Sequence, residues 1–502
     1  MIGKKGIILE NERGSWGSNI GFLLAAIGSA VGLGNIWGFP YKMGKSGGFT
    51  FLIAYLLLAV FVGFVVMVSE LAMGRRVGKG VIGCYHTLSK KFKWVGWLAV
   101  FSPFIIMSFY SVLGGYCIEY MALNMSNLAF AGAEIKTGSD LFSAMLTNPF
   151  GCVVFTLLFL VICYLINRGG IAGGIEKFNK IGMPALFVML VIIIIRSVTL
   201  EGAVEGLKFM FVPGYAVSAG FIKEAPNFIS VLATAGGQMF FSLSLAMGVM
   251  FTYGSYLSKQ ENLVKNSMVI VFSDTLVALM AGLAVIPAAV AIGIQQGKDV
   301  ADIALKGPSL LFVTLQDVFN AMGTAGPLFG VIFYLLVLIA AISSAISLVE
   351  VVATFFLDRA AEKGKTGNRN KVVLIVCLAI TVEAVLVAVD GLGSNNVWVP
   401  FKEMTAQVAA DGTVTYMPWN DCWLDFMDMM SEGIAMPLGA LLMSLMVAWE
   451  IKPKTVLEEV RLGCSTKIDA FYNICIRFIT PIGMVLVLLG QINDFFATGW
   501  FG

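Results

Sequence analysis

The stretch Gly28-Ser29-Ala30-Val31-Gly32-Leu33-Gly34-Asn35 lies in the middle of an apolar segment running from about Ile20 to Tyr41. A continuous membrane helix does not tolerate such a run. Each glycine costs about 1 kcal/mol in a helix interior, and Pro40 follows, so the helix is predicted to open between Ser29 and Gly34. In hydrocarbon an opened backbone is stable only where protein or a water-filled cavity satisfies its N–H and C=O groups. The carbonyls ending one half-helix and the positive N-terminus starting the next then offer a cation site beside an anion site.

Composition sets that segment in a membrane. Of the residues, 58% are hydrophobic and 13% charged, and apolar runs of spanning length recur, each needing about 20 residues. We expect an all-α polytopic membrane protein with eleven transmembrane helices, spans 1 to 11, at about 18–42, 49–73, 95–124, 150–166, 176–196, 227–257, 266–293, 326–357, 371–390, 422–449 and 471–491. Lys and Arg concentrate in alternate loops (Arg75 to Lys93, Arg168 to Lys180, Arg359 to Lys371, Lys452 to Lys467), which marks those loops as cytoplasmic. The N-terminus is then inside and the C-terminus outside. Met1 to Arg13 is charged and lacks a signal-peptide core, so the first span is expected to serve as its own signal, with nothing removed. The eight cysteines show no CxxC and no paired outer spacing, and read as small apolar packing residues. A net charge of +2 points to no particular partner, and nothing suggests nucleic acid.

Span 6 carries a second, weaker interruption, in which Gln238 to Gly248 places Ser242, Ser244 and Gly248 mid-membrane. Those serines can bond back to the preceding turn or face a site. Spans 1 and 6 head two groups of five and cross in opposite directions, as an inverted repeat requires, with a binding site at the midplane between two discontinuous helices. The expected organisation is a cytoplasmic segment 1–17, a first repeat 18–196 (spans 1–5), an outer loop 197–226, a second repeat 227–449 (spans 6–10), and 450–502 with span 11 and a short outer tail.

Gly28 to Asn35 followed by Phe39-Pro40, Glu70-Leu-Ala-Met-Gly-Arg75 ending span 2, Phe109-Tyr110-Ser111 in span 3, Gln238 to Gly248 and Ser343-Ser344 in span 8 closely resemble the neurotransmitter:sodium symporter family, and its bacterial amino-acid transporters in particular. The resemblance covers nearly the whole chain. It implies sodium-driven uptake of an amino acid or amine by alternating access, with no enzymatic activity, from a bacterial inner membrane. One sodium site would take Gly28 and Val31 carbonyls with Ala340, Ser343 and Ser344. The other would take Ala30, Asn35, Ser242 and Asp274 and share the substrate carboxylate. The substrate pocket carried over is Ser29, Ala30, Leu33 and Gly34; Ile106 and Tyr110; Phe241, Ser242, Ser244 and Met247; and Ser344 and Leu348. Half-helix amides near Leu33 and Gly34 suit a carboxylate, Tyr110 can donate to it, and Ile106, Met247 and Leu348 would line an apolar side-chain pocket. Outside the resemblance, Ser343 and Ser344 read first as small residues for helix packing.

For the inner gate the resemblance implies Arg13, Trp16, Ser255, Tyr256 and Asp358, and Gly174 with Pro184 match a Gly-x9-Pro pattern that unwinds span 5. Glu70 would brace helices; Glu119 and Glu350 receive no role. Many relatives place an arginine where this chain has Gly38 and pair it with an acid in span 10, here Asp428. Lys42, four residues beyond Gly38 and so on the same helix face, either latches to Asp428 or snorkels to the headgroups with Asp428 hydrated.

Two Na+ sites are expected, and no chloride, because Asp274 supplies a fixed negative charge. The substrate is expected to be an apolar or aromatic L-amino acid, with the Ala246 methyl favouring smaller side chains. A channel would need a filter or pore-lining polar face, and an intramembrane enzyme a nucleophile or metal motif, whereas the single histidine, His86, lies in a basic loop. The competing transporter reading is a proton-coupled or exchanging carrier of the same broad fold. Lipid and a small molecule are the expected partners; oligomeric state is left open.

Overall fold

The computed structural model describes residues 15–129, 137–303, 310–365, 367–395, 397, 406–408, 414–416, 422–496, 498 and 500. Among these, nine helices are long and apolar enough to cross a membrane: Phe49–Val77, Val95–Ala129, Pro149–Asn167, Ile171–Val198, Leu263–Gln295, Gly323–Glu362, Arg369–Asp390, Trp423–Glu450 and Asp469–Asn493. They correspond to expected spans 2, 3, 4, 5, 7, 8, 9, 10 and 11. A tenth crossing is the bent pair Asn19–Ala30 and Gly34–Lys45, 46° apart. Span 6 is two pieces, Phe228–Ser242 and Val249–Gly254. One departure from an all-helical chain is a short hairpin in the loop before span 10, Ala406–Val408 antiparallel to Val414–Tyr416, which the sequence reading did not foresee.

Span 1 breaks where expected. Its first half starts at a serine cap, Ser18 Oγ accepting from the Gly21 amide at 3.0 Å, which satisfies one of the free donors of the first turn. It ends at Val31, whose backbone is extended (φ −77°, ψ 96°). The chain resumes through a wide π turn, Gly34–Gly38, a form common at functional sites. Pro40 follows as the second residue of Phe39–Lys45 and has no N–H to donate back into that wide turn.

The span 6 break is built differently. Between Ser242 and Val249 the chain is unwound, and two residues with side chains, Ser244 (φ 54°) and Ala246 (φ 60°), sit in the left-handed region. Each costs roughly 1–2 kcal/mol there, so neighbours must hold this conformation in place. One of them is buried Glu70 of span 2, whose Oε1 accepts from the Ala246 amide at 2.8 Å.

The spans sort into an inner group and an outer one. Spans 2, 3, 7, 8 and 10 have 67–78% of their most apolar window buried, against 28–39% for spans 4, 5, 9 and 11, so the second group faces lipid. Spans 3 and 8 form the most extensive pair. Span 2 and the second piece of span 6 cross backbone to backbone. A Cβ on Gly74 would lie 2.1 Å from Phe251 O, and one on Gly254 would lie 2.6 Å from Leu71 O, so only glycine permits the approach, as at other small-residue crossings in membranes. None of the eight cysteines forms a disulfide, and all are buried.

Two of the unexplained acids now have contrasting settings. Glu350 takes Arg369 in a two-pronged pair, Nη2 to Oε2 at 2.5 Å and Nη1 to Oε1 at 3.2 Å, with the Tyr256 hydroxyl at 3.1 Å. Glu119 Oε2 has no partner among the described residues.

Candidate ion and substrate site

The two breaks meet. Ser244 Oγ donates to Ser29 O at 2.9 Å, Ser29 Oγ lies 2.6 Å from Ser347 Oγ, and Ser344 Oγ donates to Ser29 O at 2.9 Å. Hydroxyls of spans 6 and 8 thus satisfy the last carbonyls of the first half-helix, which have no intrahelical partners. Neither Ser242 nor Ser244 bonds back to its own preceding turn, which decides the choice left open by the sequence.

Two groups of oxygens flank this junction. In the first, Ser343 Oγ reaches Val31 O at 3.4 Å and Ala340 O at 2.8 Å, while Ser344 Oγ reaches Gly28 O at 3.4 Å. Gly28, Val31, Ala340, Ser343 and Ser344 are therefore gathered, all buried, as an uncharged set of hard oxygen donors of the kind alkali cations accept. The second group centres on Asp274, fully buried. Asn35 Nδ2 donates to its Oδ1 at 2.7 Å, Ser242 Oγ lies at 2.9 and 3.0 Å from its two oxygens, and the Tyr55 hydroxyl donates to Oδ2 at 3.1 Å. Asn35 Oδ1 in turn accepts from the Gly32 amide at 3.0 Å, tying the carboxylate to the open backbone of span 1. Ala30, the last residue of the first half-helix, is buried beside this junction.

Between the groups lies a cavity of about 270 Å³ lined by Ser29, Ala30, Gly32, Gly34, Ile106, Tyr110, Phe241, Ser244, Met247, Ser344 and Leu348. Ten of the twelve residues expected for the substrate line it: only Leu33 and Ser242 do not. Leu33 contributes its backbone, the amide donating to the Tyr110 hydroxyl at 3.0 Å, and the Ser242 hydroxyl is turned away to Asp274. Its polar lining is Ser29, Ser244, Ser344 and Tyr110, and its large apolar lining is Ile106, Phe241, Met247 and Leu348.

Four participants escaped the sequence reading. Gly32 lines the cavity because a Cβ there would lie 2.3 Å from Ser344 Oγ and 2.6 Å from Tyr110 Oη; its place as the middle glycine of the run was the available signal. Ser347, one turn beyond Ser343 and Ser344, could have been found by helical spacing. Gln238 donates to Gly34 O at 2.7 Å, and its Oε1 fills the space a side chain at Gly38 would need. Tyr55, in an unbroken apolar stretch, carried no signal.

The gating expectations divide. Trp16 packs edge-on against Phe22, Tyr253 and Tyr256 and donates from Nε1 to Tyr253 O at 3.1 Å. Arg13 lies outside the described residues. Asp358 Oδ2 accepts from the Gly80 amide at 2.8 Å, at the start of the helix Val81–Leu88, and Ser255 Oγ bonds back to Thr252 O at 2.7 Å. Gly174 is in a wide turn, Ile171–Glu176, and Pro184 is within the helix that follows. From that wide turn Glu176 reaches the start of span 1, its Oε2 accepting from the Gly17 amide at 2.7 Å and its Oε1 from Ser18 Oγ at 3.2 Å, with Lys180 Nζ at 2.6 Å.

At the other end the expected pairing is corrected. Lys42 binds Glu432, not Asp428. Span 10 is wound into a wide turn over Met429–Ala435, which brings Glu432, one turn past Asp428, to the lysine. Lys42 is 7% exposed, so it does not snorkel. Asp428 lines the same outer cavity, of about 520 Å³, with Lys42, Lys45, Glu432 and Gln491.

Comparison with known proteins agrees with this architecture. The sequence model of the sodium:neurotransmitter symporter family matches residues 13–140 and 143–411. An uncharacterized sodium-dependent transporter of Bacillus subtilis (strain 168) is 33% identical over 488 residues, 96% of this chain and 99% of that protein. A sodium- and chloride-dependent GABA transporter of Drosophila melanogaster is 28% identical over 74% of this chain and 42% of its own length. Among solved structures, that of MhsT in complex with L-phenylalanine superposes with a TM-score of 0.79 at 32% identity, covering 95% of this chain and 100% of the other. With two broken helices meeting at buried oxygen clusters and a family match along most of its length, the chain belongs to the sodium:neurotransmitter symporter family.

Proposed function

We propose that this protein takes up an apolar or aromatic L-amino acid in symport with sodium, by alternating access across a bacterial inner membrane, through eleven spans arranged as inverted five-helix repeats. The observation that carries this reading is the cavity at the junction of the two breaks, whose lining joins the hydroxyls of Ser29, Ser244, Ser344 and Tyr110 to the apolar Ile106, Phe241, Met247 and Leu348. A zwitterion fits that division: its carboxylate at the Leu33–Gly34 amides and Tyr110, its ammonium toward the carbonyls of the first half-helix, its side chain on the apolar wall. Among the described residues no acid lines the cavity to meet a second amino group. MhsT, of similar fold and sequence, is known with L-phenylalanine bound, which favours the same class here.

Two sodium ions accompany the substrate in this reading, one at Gly28, Val31, Ala340, Ser343 and Ser344, the other at Ala30, Asn35, Ser242 and Asp274, with the substrate carboxylate on the second ion. Shared contact makes the coupling reciprocal. Asp274 makes chloride unnecessary. Thermal-shift titration of the purified protein against the amino acids, with sodium or potassium, tests the proposal, because a ligand that binds only the folded state raises its stability in proportion to RT ln(1 + [L]/Kd). Stabilisation by phenylalanine, tryptophan, leucine or methionine that requires sodium is expected. Stabilisation confined to glutamate or lysine, or equal in potassium, overturns it.

A further inference from the structure

A second cavity, also of about 270 Å³, lies remote from the junction, between spans 5, 7 and 8 and the loop helix Leu315–Ala321. Span 5 runs parallel to span 1, since Glu176 at its start meets Gly17, so this cavity is at the Lys42 end of the bundle, where span 5 leaves the hydrocarbon. Most of its wall is apolar, with Phe319, Phe329 and Phe333 on one side and the small Ala284 and Ala288 on the other.

Two polar residues interrupt that wall, Arg196 and Ser197. Ser197 is 2% exposed and its hydroxyl has no hydrogen-bond partner among the described residues, which is costly for a buried polar atom unless something fills the place. The Arg196 side chain likewise makes no ion pair or hydrogen bond among the described residues. Glu205, in the helix that follows, is already held by Lys208 and Tyr215. Ile195 and Leu328, on the flanks, are 59% and 50% exposed, so the cavity borders surface that faces lipid.

A cationic fork and a hydroxyl donor beside aromatic walls, at the boundary between hydrocarbon and water, match an anionic head joined to an acyl chain. A free anion would satisfy the two donors and leave the half-buried Phe329 at the mouth without a partner; a neutral chain would do the reverse. We infer that this cavity binds the head end of one anionic phospholipid, its phosphate on the Arg196 guanidinium and the Ser197 hydroxyl and its first methylenes against Phe319, Phe329 and Phe333. Arginine suits this role because its planar donors meet phosphate in pairs. The lipid would brace the loop helix Leu315–Ala321 against spans 5 and 8.

The test uses the full chain in phosphatidylcholine vesicles containing a phosphatidylglycerol probe with a photoreactive diazirine near the head of one acyl chain, with labelled peptides mapped by mass spectrometry. Labelling within residues 315–333 is expected, displaced by unlabelled phosphatidylglycerol but not by added phosphatidylcholine or oleate. Arg196→Gln should lower that labelling about fivefold, the attraction of one interfacial cation, and Arg196→Lys should retain most of it. Displacement by phosphatidylcholine as effective as by phosphatidylglycerol, displacement by oleate alone, labelling spread evenly over lipid-facing residues such as Val154 and Val161, or unchanged labelling of a folded Arg196→Gln protein each overturns the proposal. The competition arm needs no variant, so it decides even if Arg196→Gln does not fold.

Discussion

Lys42 is paired with Glu432 across the outer cavity, and both side chains are less than one-tenth exposed. A buried pair of this kind costs desolvation to assemble and is strongly felt when one partner is removed. If it closes the site after substrate enters, it should couple to binding. A double-mutant cycle on substrate affinity with Lys42→Met and Glu432→Gln is expected to give a coupling of about 1 kcal/mol or more. The cycle of Lys42→Met with Asp428→Asn should give a smaller value.

Chloride replacement tests the second oxygen cluster. Asp274 already places a carboxylate among Asn35, Ser242 and Tyr55, so substituting gluconate for chloride should leave uptake unchanged. Asp274→Asn removes the charge while keeping the shape, and should weaken apparent sodium affinity by roughly tenfold or more, given that hydrogen bonds to charged groups contribute about 1.5–3 kcal/mol. Flux measurements across a sodium titration check both statements.

Tyr55→Phe is the finer probe of the same carboxylate. The ring also packs edge-on against Phe39 at 5.1 Å and stacks on Phe51 at 6.1 Å, and phenylalanine preserves those contacts. Loss of the hydroxyl alone should weaken sodium affinity by about five- to tenfold with little change in thermal stability. An equal fall in stability without any change in sodium affinity would give Tyr55 a purely structural place.

Glu176 caps the start of span 1 from the segment of span 5 that holds Gly174. A carboxylate at a helix N-terminus gains both hydrogen bonds and favourable dipole interaction. Glu176→Gln should therefore loosen the first turn, and the amides of Gly21 and Phe22, which donate to Ser18, should exchange hydrogen about tenfold faster. Hydrogen-exchange mass spectrometry in sodium, with and without substrate, measures it; the effect should shrink when substrate is bound.

Much of this molecule could be read from its sequence, for identifiable reasons. Glycine spacing and Pro40 betrayed the first break because backbone cost is local, and hydropathy located the crossings because each must satisfy the same bilayer. The second break was harder. Its left-handed residues are Ser244 and Ala246 rather than glycine, and what holds them, Glu70 among others, is far away in sequence. The hairpin at Ala406–Val408 was missed because two three-residue strands leave little pattern. Long-range partners chosen by side-chain reach, such as Tyr55 for Asp274 or Glu432 for Lys42, depend on how spans rotate about their axes, and a wide π turn shifts that rotation without any mark in composition.

The crossing of Gly74 and Gly254 has a mechanical meaning. With a carbonyl where each missing side chain would stand, span 2 and the second piece of span 6 cannot slide or roll against one another without collision, so they transmit displacement as a single strut. Trp16, just before the first half of span 1, touches that strut edge-on through the ring of Tyr253. The second piece of span 6 thus carries a backbone joint to span 2 at Gly254 and, one residue away at Tyr253, a side-chain contact to Trp16, and only the second of these can yield by a change of rotamer.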